Sequence, residues 1–287
     1  MSKAKACRLN VQYFDPNVLC DQAATVYLNG KRGTGKTKLI ADLLAYLRFC
    51  ATCIVICPTV EASKTYAQHV PELFIYRKWA PEIVDKIVEA QMALGDDVAK
   101  YPCVIIFDDC LFDPKFAKHV STRNLYMNGR HANITVICAG QYMMDLPPAI
   151  RTNTDYVFML TENCVSNQRR LYTNFGGVFD TFKDFRECFT QIAVDYNAMV
   201  INNKCLSSKV QDCVFYYKAT LGLRFRVGHK ALWQYANNKN SKDDDWGKEE
   251  LVPFENAQRP SLVVRHGPKP GGGRDDEGSS PRSVADF

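Results

Sequence analysis

The sequence feature that most constrains the fold is a glycine-rich loop that joins an apolar run to a helix-forming run. Residues 24–37 read ATVYLNGKRGTGKT, and Gly30, Gly35, Lys36 and Thr37 fill the fixed positions of the phosphate-binding P-loop pattern. In such a loop several backbone N–H groups point inward together, and glycines allow a close approach that side chains would block. The sequence therefore predicts a nucleotide-binding loop between a strand and a helix.

The residues of this loop are predicted to bind ATP with Mg²⁺. Lys36 is expected to contact the β- and γ-phosphates, and Thr37 to offer its hydroxyl to Mg²⁺. A helix over residues 38–49 would direct its positive N-terminal dipole at the phosphates. Arg32 is a further cation that can act on the nucleotide of its own chain. The predicted nucleotide-binding residues are Gly30, Lys31, Arg32, Gly33, Thr34, Gly35, Lys36 and Thr37.

Length and composition predict one large α/β domain. The chain has 287 residues, of which 46% are hydrophobic, enough for a substantial core. We predict a lead-in over residues 1–22, a P-loop ATPase domain over 23–236 and a mostly disordered polar tail over 237–287. The tail is rich in Gly, Pro and mixed charges, so it cannot bury enough apolar surface to offset the entropy of ordering.

Charge and cysteine usage bear on partners and compartment. Residues 239–287 hold eight Lys and Arg against ten Asp and Glu, so residues 1–238 carry a net charge of +7, which a polyanion such as duplex DNA can use. Twelve cysteines without a signal peptide predict a reducing compartment, and no apolar run is long enough to predict a membrane span. Cys50 and Cys53 have zinc-like spacing without a second pair, which favours two buried thiols.

A second chemical element is the apolar run at residues 103–109, CVIIFDD, which ends in two carboxylates. In a nucleotide site Asp108 would hold Mg²⁺, and Asp109 would orient or deprotonate the attacking water. The alternative is that two acids merely begin a turn. A predicted strand at 53–57 and a predicted helix at 81–94 precede this run, an order typical of the additional-strand class of P-loop ATPases.

The next apolar runs complete the predicted sheet. Residues 134–139, ITVICA, form the additional strand and are followed by Gln141, whose amide would lie near the γ-phosphate and the attacking water, unless it only caps a turn. Residues 156–160 supply a fifth strand. Strands separated by helical crossovers predict a mostly parallel α/β sheet flanked by helices, with the site at its carboxyl edge.

Three arginines lie just before these strands. Arg123 and Arg130 precede the additional strand and Arg151 precedes the fifth. An arginine at a subunit-facing edge can stabilise γ-phosphate charge in a neighbour's site, whereas the alternative for each is a structural ion pair within the chain.

The C-terminal third gives weaker signals. Phenylalanines 179, 182, 185 and 189 have helical spacing, which favours a core face over a base-stacking or partner-docking surface. A basic segment over residues 224–230 either contacts DNA phosphates or is a solvated face.

The succession of these motifs resembles the DNA-packaging ATPases of poxviruses and other large DNA viruses, a branch of the FtsK/HerA superfamily. The resemblance covers roughly residues 22–235 and depends most on YMNGRHANITVICAGQY and LPPAIRTNTDYVFML. It implies a ring-forming ATPase that moves duplex DNA into a preformed capsid. It also implies a capsid or portal-vertex partner, and a location in the host cell cytoplasm at viral assembly sites.

The resemblance also implies roles for individual residues. They are Lys36 and Thr37 as the Walker A pair, Asp108 and Asp109 as the Walker B pair, Gln141 as the polar sensor, and Arg130 or Arg151 as the arginine finger. Asp109 departs from the family, since many such ATPases carry glutamate there. The alternatives are a helicase or another nucleotide-dependent enzyme, and a non-hydrolysing, ATP-gated capsid assembly factor.

Overall fold

A ten-stranded sheet forms the centre of the computed structural model, which describes residues 8–240 and 262–265. The strands are β1 (Arg8–Tyr13), β2 (Thr25–Asn29), β3 (Thr52–Ile56), β4 (Ile75–Tyr76), β5 (Cys103–Asp108), β6 (Ile134–Gly140), β7 (Tyr156–Met159), β8 (Asn197–Asn202), β9 (Val214–Lys218) and β10 (Leu262–Arg265). Their order across the sheet is β10-β1-β9-β8-β7-β2-β6-β5-β3-β4.

Helices pack on both faces of this sheet. They are α1 (Val18–Asp21), α2 (Lys36–Tyr46), α3 (Val60–Tyr66), α4 (Pro81–Met92), α5 (Pro114–Lys118), α6 (Val120–Asn128), α7 (Pro148–Arg151), α8 (Val165–Phe175), α9 (Phe182–Ile192), α10 (Val210–Cys213) and α11 (Lys230–Asn240). Successive strand residues point to opposite layers, so Tyr27 and Ile105 lie in one core while Leu28 and Ile106 lie in the other. None of the described helices is long and apolar enough to cross a bilayer.

The predicted fold class is confirmed. Strands β4, β3, β5, β6, β2 and β7 are mutually parallel, and β8 then runs antiparallel to both β7 and β9. β6 lies between β2 and β5, as predicted for the additional strand. Every residue of these three strands is buried, which explains their continuous apolar runs. Their carboxyl ends therefore meet at one edge of the sheet.

Strands and helices of the structure extend into the predicted lead-in and tail. β1, within the predicted lead-in, pairs in parallel with β9 and antiparallel with β10, while α11 continues past residue 236. β10 is a strand within the predicted tail, and the rest of that tail, residues 241–261 and 266–287, lies outside the described residues. Val11 and Val264 are fully buried, so these short strands form because the sheet edge supplies both hydrogen bonds and apolar cover.

The phenylalanine series belongs mainly to the core, as the helical spacing favours. Phe179, Phe185 and Phe189 are buried, and the rings of Phe185 and Phe189 stack with centroids 5.7 Å apart. Phe182 is only half-buried and lies beneath the guanidinium of Arg169 at 4.3 Å. Cys50 and Cys53 are both buried, and burial raises the pKa of Cys50 to about 12.

Candidate functional site

The glycine-rich loop has backbone conformations and contacts that its glycines make possible. It begins after buried Asn29 at the end of β2, and α2 begins at Lys36. Gly33 and Gly35 have φ angles of 81° and 98°, in the left-handed region that side chains disfavour. A Cβ at Gly30 would lie 2.5 Å from Oγ1 of Thr34, so this position has no room for a larger residue.

Lys36 places a desolvated cation inside the loop. The residue is 7% exposed, and its Nζ donates to the carbonyl oxygens of Gly30 at 2.7 Å and Lys31 at 3.2 Å. Burial lowers the pKa of the Lys36 ammonium, and the charges of Asp109 and Asp108 act in the opposite direction. A phosphate at the loop would supply the anionic partner that these neutral carbonyls do not.

Asp108, the last residue of β5, joins the acidic strand to the loop. Its Oδ2 accepts hydrogen bonds from Thr37 Oγ1 at 2.9 Å and from Tyr66 OH at 2.8 Å. Its Oδ1 is buried and has no hydrogen-bond partner among the described residues. Burial raises the pKa of the Asp108 carboxyl, while the hydrogen bonds from Tyr66 and Thr37 lower it.

This arrangement fits a bound Mg²⁺. A carboxylate oxygen without a partner, next to the Thr37 hydroxyl, supplies the hard oxygen ligands that Mg²⁺ prefers. Mg²⁺ usually retains several waters and binds substrate phosphates, so one or two protein oxygens are sufficient. Accordingly, the described part of the chain contains no group of three or more His, Cys, Asp or Glu that could hold a metal.

Asp109 and Gln141 meet beside this carboxylate. Asp109 follows β5 with a φ of 56°, and its backbone N–H donates to the Ala139 carbonyl oxygen at 3.2 Å. The Nε2 of Gln141 lies 3.5 Å from Asp109 Oδ1. The two side chains follow β5 and β6, which are adjacent, so the sheet brings together residues that are 32 positions apart.

A cleft of about 810 Å³ runs along this edge of the sheet. Its lining includes Asp109, Gln141 and most of the loop, namely Arg32, Gly33, Gly35, Lys36 and Thr37. Residues that were not predicted for the site also line it, among them Leu160, Tyr196, Lys218, Ala219 and Leu221.

Two polar residues at the site were not predicted from the sequence. Tyr66 lies on α3 and contacts Asp108, a contact for which the sequence carries no local signal. Glu162 is 4% exposed, and its Oε1 lies 2.7 Å from Lys31 Nζ. Burial alone would raise the pKa of Glu162, but hydrogen bonds from Lys31, the Cys164 N–H and Asn167 hold it below its usual value. Its place just after β7 is a signal that was available, since that strand ends at the same edge.

The predicted arginines occupy different environments. Arg130 has the structural ion pair that was the alternative to a role in a neighbour's site: its Nη2 lies 3.8 Å from Asp155 Oδ1, with the Arg130 side chain 47% exposed. Arg151 is half-buried, and its Nη1 donates to the Leu146 carbonyl oxygen at 2.6 Å. Arg123 is exposed on α6, while Arg32 is exposed and lines the cleft.

Arg130 is remote from the cleft of its own chain. It lies before the amino end of β6, whereas Gln141 follows the carboxyl end of that strand. A strand of seven residues is roughly 23 Å long at 3.3 Å per residue. Arg130 is therefore out of reach of this cleft, whereas Arg32 lines it.

The two arginine environments predict different costs of truncation. Arg151→Ala should lower the free energy of unfolding by about 1–3 kcal/mol, because it removes a charged donor from a half-buried carbonyl. Arg130→Ala should lower it by less than about 1 kcal/mol, because its ion pair is long and partly exposed. Urea denaturation of both variants measures the difference, and equal losses would contradict these assignments.

Comparisons with known proteins give relatives in large DNA viruses. No protein-family model matches the chain. Protein 015R of Frog virus 3 is 34% identical over 221 residues, which cover 75% of this chain and 68% of the relative. Protein 088R of Invertebrate iridescent virus 3 is 32% identical, with 72% of this chain and 78% of the relative covered.

Solved structures show the same fold. The genome-packaging NTPase B204 of Sulfolobus turreted icosahedral virus 2, in complex with AMPPCP, is 16% identical with a TM-score of 0.50. The match covers 72% of this chain and 100% of B204. The chain thus shares the fold of B204, in agreement with the predicted resemblance. By its sequence identity and coverage, the chain belongs to the family of large-DNA-virus proteins that includes 015R of Frog virus 3 and 088R of Invertebrate iridescent virus 3.

Proposed function

We propose that this protein is a genome-packaging ATPase that hydrolyses ATP to move duplex DNA into a preformed viral capsid. The observation that carries the proposal is the 2.9 Å hydrogen bond between Thr37 and Asp108, which unites the phosphate-binding loop with the acidic strand. The B204 fold supports it, because B204 is a genome-packaging NTPase and binds the ATP analogue AMPPCP.

In this proposal the residues of the cleft have separate roles in ATP hydrolysis. Lys36 exchanges the carbonyl oxygens of its own loop for β- and γ-phosphate oxygens, which a buried ammonium binds more strongly. Thr37 and Asp108 would hold Mg²⁺, which neutralises phosphate charge when it is bound. Asp109 accepts the proton of the attacking water, and Gln141 orients that water and Asp109 together.

Two substitutions separate binding from chemistry. Lys36→Ala should abolish ATP binding, since it removes the only buried cation of the loop as the structure describes it. Asp109→Asn should bind ATP and Mg²⁺ with near-normal affinity but hydrolyse ATP at least 10²-fold more slowly, because Asp108 remains and the water loses its base. Calorimetric binding and phosphate release measure the two effects, and unimpaired turnover by Asp109→Asn would remove Asp109 from the mechanism.

The proposal includes a ring in which subunits share sites. Arg130 is the better candidate for an arginine finger, because it is half-exposed, weakly paired and remote from its own cleft. Arg151 holds a backbone carbonyl of its own chain and is less free to move. In this arrangement Arg130 of one subunit stabilises γ-phosphate charge in the neighbouring subunit.

Mixed rings test this arrangement. Arg130→Ala should retain ATP affinity and lose about 10³-fold or more in turnover, as expected for an arginine finger. Mixing Arg130→Ala with Asp109→Asn should restore part of the activity, because some interfaces then join an intact acid site to an intact arginine. Turnover is measured across mixing ratios, with Arg151→Ala as the matched arginine variant. Mixed rings that form and stay inactive would exclude sharing through Arg130.

A basic surface at the opposite edge of the sheet supports DNA as the partner. The Gly228 N–H donates to the Arg48 carbonyl oxygen at 3.0 Å, so the basic segment 224–230 packs beside Arg48. The guanidinium of Arg48 lies 4.3 Å above Phe49, and that of Arg226 lies 4.8 Å above Trp233. Arg48 is half-buried and its Nη1 donates to the Ala45 carbonyl oxygen at 2.6 Å, whereas Arg224 in the same surface is exposed and can contact DNA phosphates.

DNA binding has a predicted salt dependence. Duplex DNA should stimulate ATP hydrolysis, and its affinity should fall steeply with salt and depend little on sequence, because bound phosphates release counterions. Arg224→Ala should reduce the slope of log K against log salt by about one unit. Lys183→Ala, an exposed variant on α9, should leave the slope unchanged. Fluorescence anisotropy measures both.

The same assays distinguish the alternatives. Preferential stimulation by single-stranded DNA would favour a helicase, and nucleotide binding without turnover would favour an ATP-gated assembly factor. A capsid or portal-vertex partner and action at cytoplasmic assembly sites follow from the packaging proposal.

A further inference from the structure

Two consecutive residues beside the P-loop have left-handed backbone conformations without being glycine. Asp195 has a φ of 49° and Tyr196 a φ of 63°. This conformation is unfavourable for residues with a Cβ, and it is especially unusual for a bulky aromatic side chain. Burial does not compensate for the strain, because Tyr196 is 67% exposed. Asp195 and Tyr196 are the central pair of a tight turn, which the Asn197 N–H closes on the Val194 carbonyl oxygen at 2.8 Å. Glycine or asparagine usually fills such positions, so the turn explains the backbone but not the exposed aromatic side chain, and strain of this kind is concentrated at functional sites.

The Tyr196 ring lies beside the glycine-rich loop, next to Gly35. A Cβ added to Gly35 would lie 3.4 Å from Tyr196 Cδ1, which places the ring in contact range of the first turn of α2. Leu221 lines the same cleft and is 71% exposed. Tyr196 and Leu221 thus give this end of the cleft two exposed apolar side chains, and Lys218 and Ala219 line the cleft beside Leu221.

The sheet order determines which end of a nucleotide meets this apolar end. Asp109 and Gln141 follow β5 and β6, which lie on one side of β2. Tyr196 precedes β8, and Leu221 follows β9, on the other side of β2. A triphosphate held over β2 with its γ-phosphate at Asp109 and Gln141 directs its nucleoside toward Tyr196 and Leu221.

We propose that Tyr196 and Leu221 form the nucleobase subsite, with the base stacked on the Tyr196 ring and Leu221 in apolar contact with it. The inference rests on the proposed nucleotide function and adds a binding contact for the base. Base–aromatic stacking accepts any base, because every base has a π-face, and it contributes enough affinity to be measured. The left-handed backbone is required because it places this ring over the loop.

Comparison of two ligands isolates the base contact. AMPPCP carries the base, ribose and phosphate chain, whereas inorganic tripolyphosphate carries only the phosphate chain. Tyr196→Ala should weaken AMPPCP binding about tenfold and leave tripolyphosphate binding unchanged. Tyr196→Phe should bind both ligands as the wild type does, because the ring remains. Tyr101→Ala, an exposed tyrosine at the opposite edge of the sheet, is the matched control and should change neither. Titration calorimetry measures all four proteins.

Tyr196→Gly provides a second variant that does not depend on how alanine tolerates this backbone. Glycine relieves the left-handed strain, so the thermal midpoint should rise while AMPPCP affinity falls as in Tyr196→Ala. A higher thermal midpoint together with weaker binding of AMPPCP, but not of tripolyphosphate, would show that the Tyr196 side chain serves binding and not stability.

Several outcomes would overturn the inference. Unchanged AMPPCP affinity in both Tyr196→Ala and Tyr196→Gly would remove the base contact. An equal loss of AMPPCP and tripolyphosphate would show that Tyr196 only shapes the loop through Gly35. The inference and the proposed function can also fail separately. If Tyr196→Ala weakens AMPPCP binding alone but the wild-type protein does not hydrolyse ATP, the base contact is supported and the proposed function is contradicted.

Discussion

The candidate nucleotide site depends on the buried carboxylate of Asp108. A carboxylate removed from water is costly unless hydrogen bonds or a cation compensate for the lost hydration. Here Thr37 and Tyr66 donate to one oxygen, and the other oxygen has no partner among the described residues. These contacts require α2, α3 and β5 to hold their positions to within a hydrogen-bond length. The fully buried strands β2, β6 and β5 provide that rigidity, because their side chains are packed on both faces.

The central part of the fold was predictable because parallel strands buried on both faces leave continuous apolar runs. The runs at 103–107 and 134–139 are such segments, and the polar residues that end them, Asp108, Asp109 and Gln141, are brought together by the sheet. β1 and β10 were not predictable, because short strands at a sheet edge carry little signal of their own. Their pairing depends on partners more than 200 positions away in the chain.

Polar partners were the least predictable feature. The sequence identified Arg130 and Arg151 as candidates but could not show what each contacts. Tertiary packing brings Asp155 to Arg130, and the local path of the chain brings the Leu146 carbonyl, five positions earlier, to Arg151. Tyr66 was not predicted for a similar reason, since its hydroxyl donates to the carboxylate of Asp108, which lies 42 positions later in the chain. A sequence pattern predicts which residue ends a strand. It does not predict which side chain on a helix donates to that residue, because the contact depends on where the helix packs.

The left-handed residues around the cleft are of two kinds: some contribute only their backbone, and others contribute a side chain. Gly33 and Gly35 provide only backbone and adopt left-handed conformations at little cost. Asp109 and Tyr196 adopt the same conformation with side chains attached, on opposite sides of β2. At these two positions a glycine would relieve the strain but would remove a carboxylate or a ring from the cleft. The rigid sheet edge between them resists relaxation of either segment, so the two strained side chains persist on both sides of the loop.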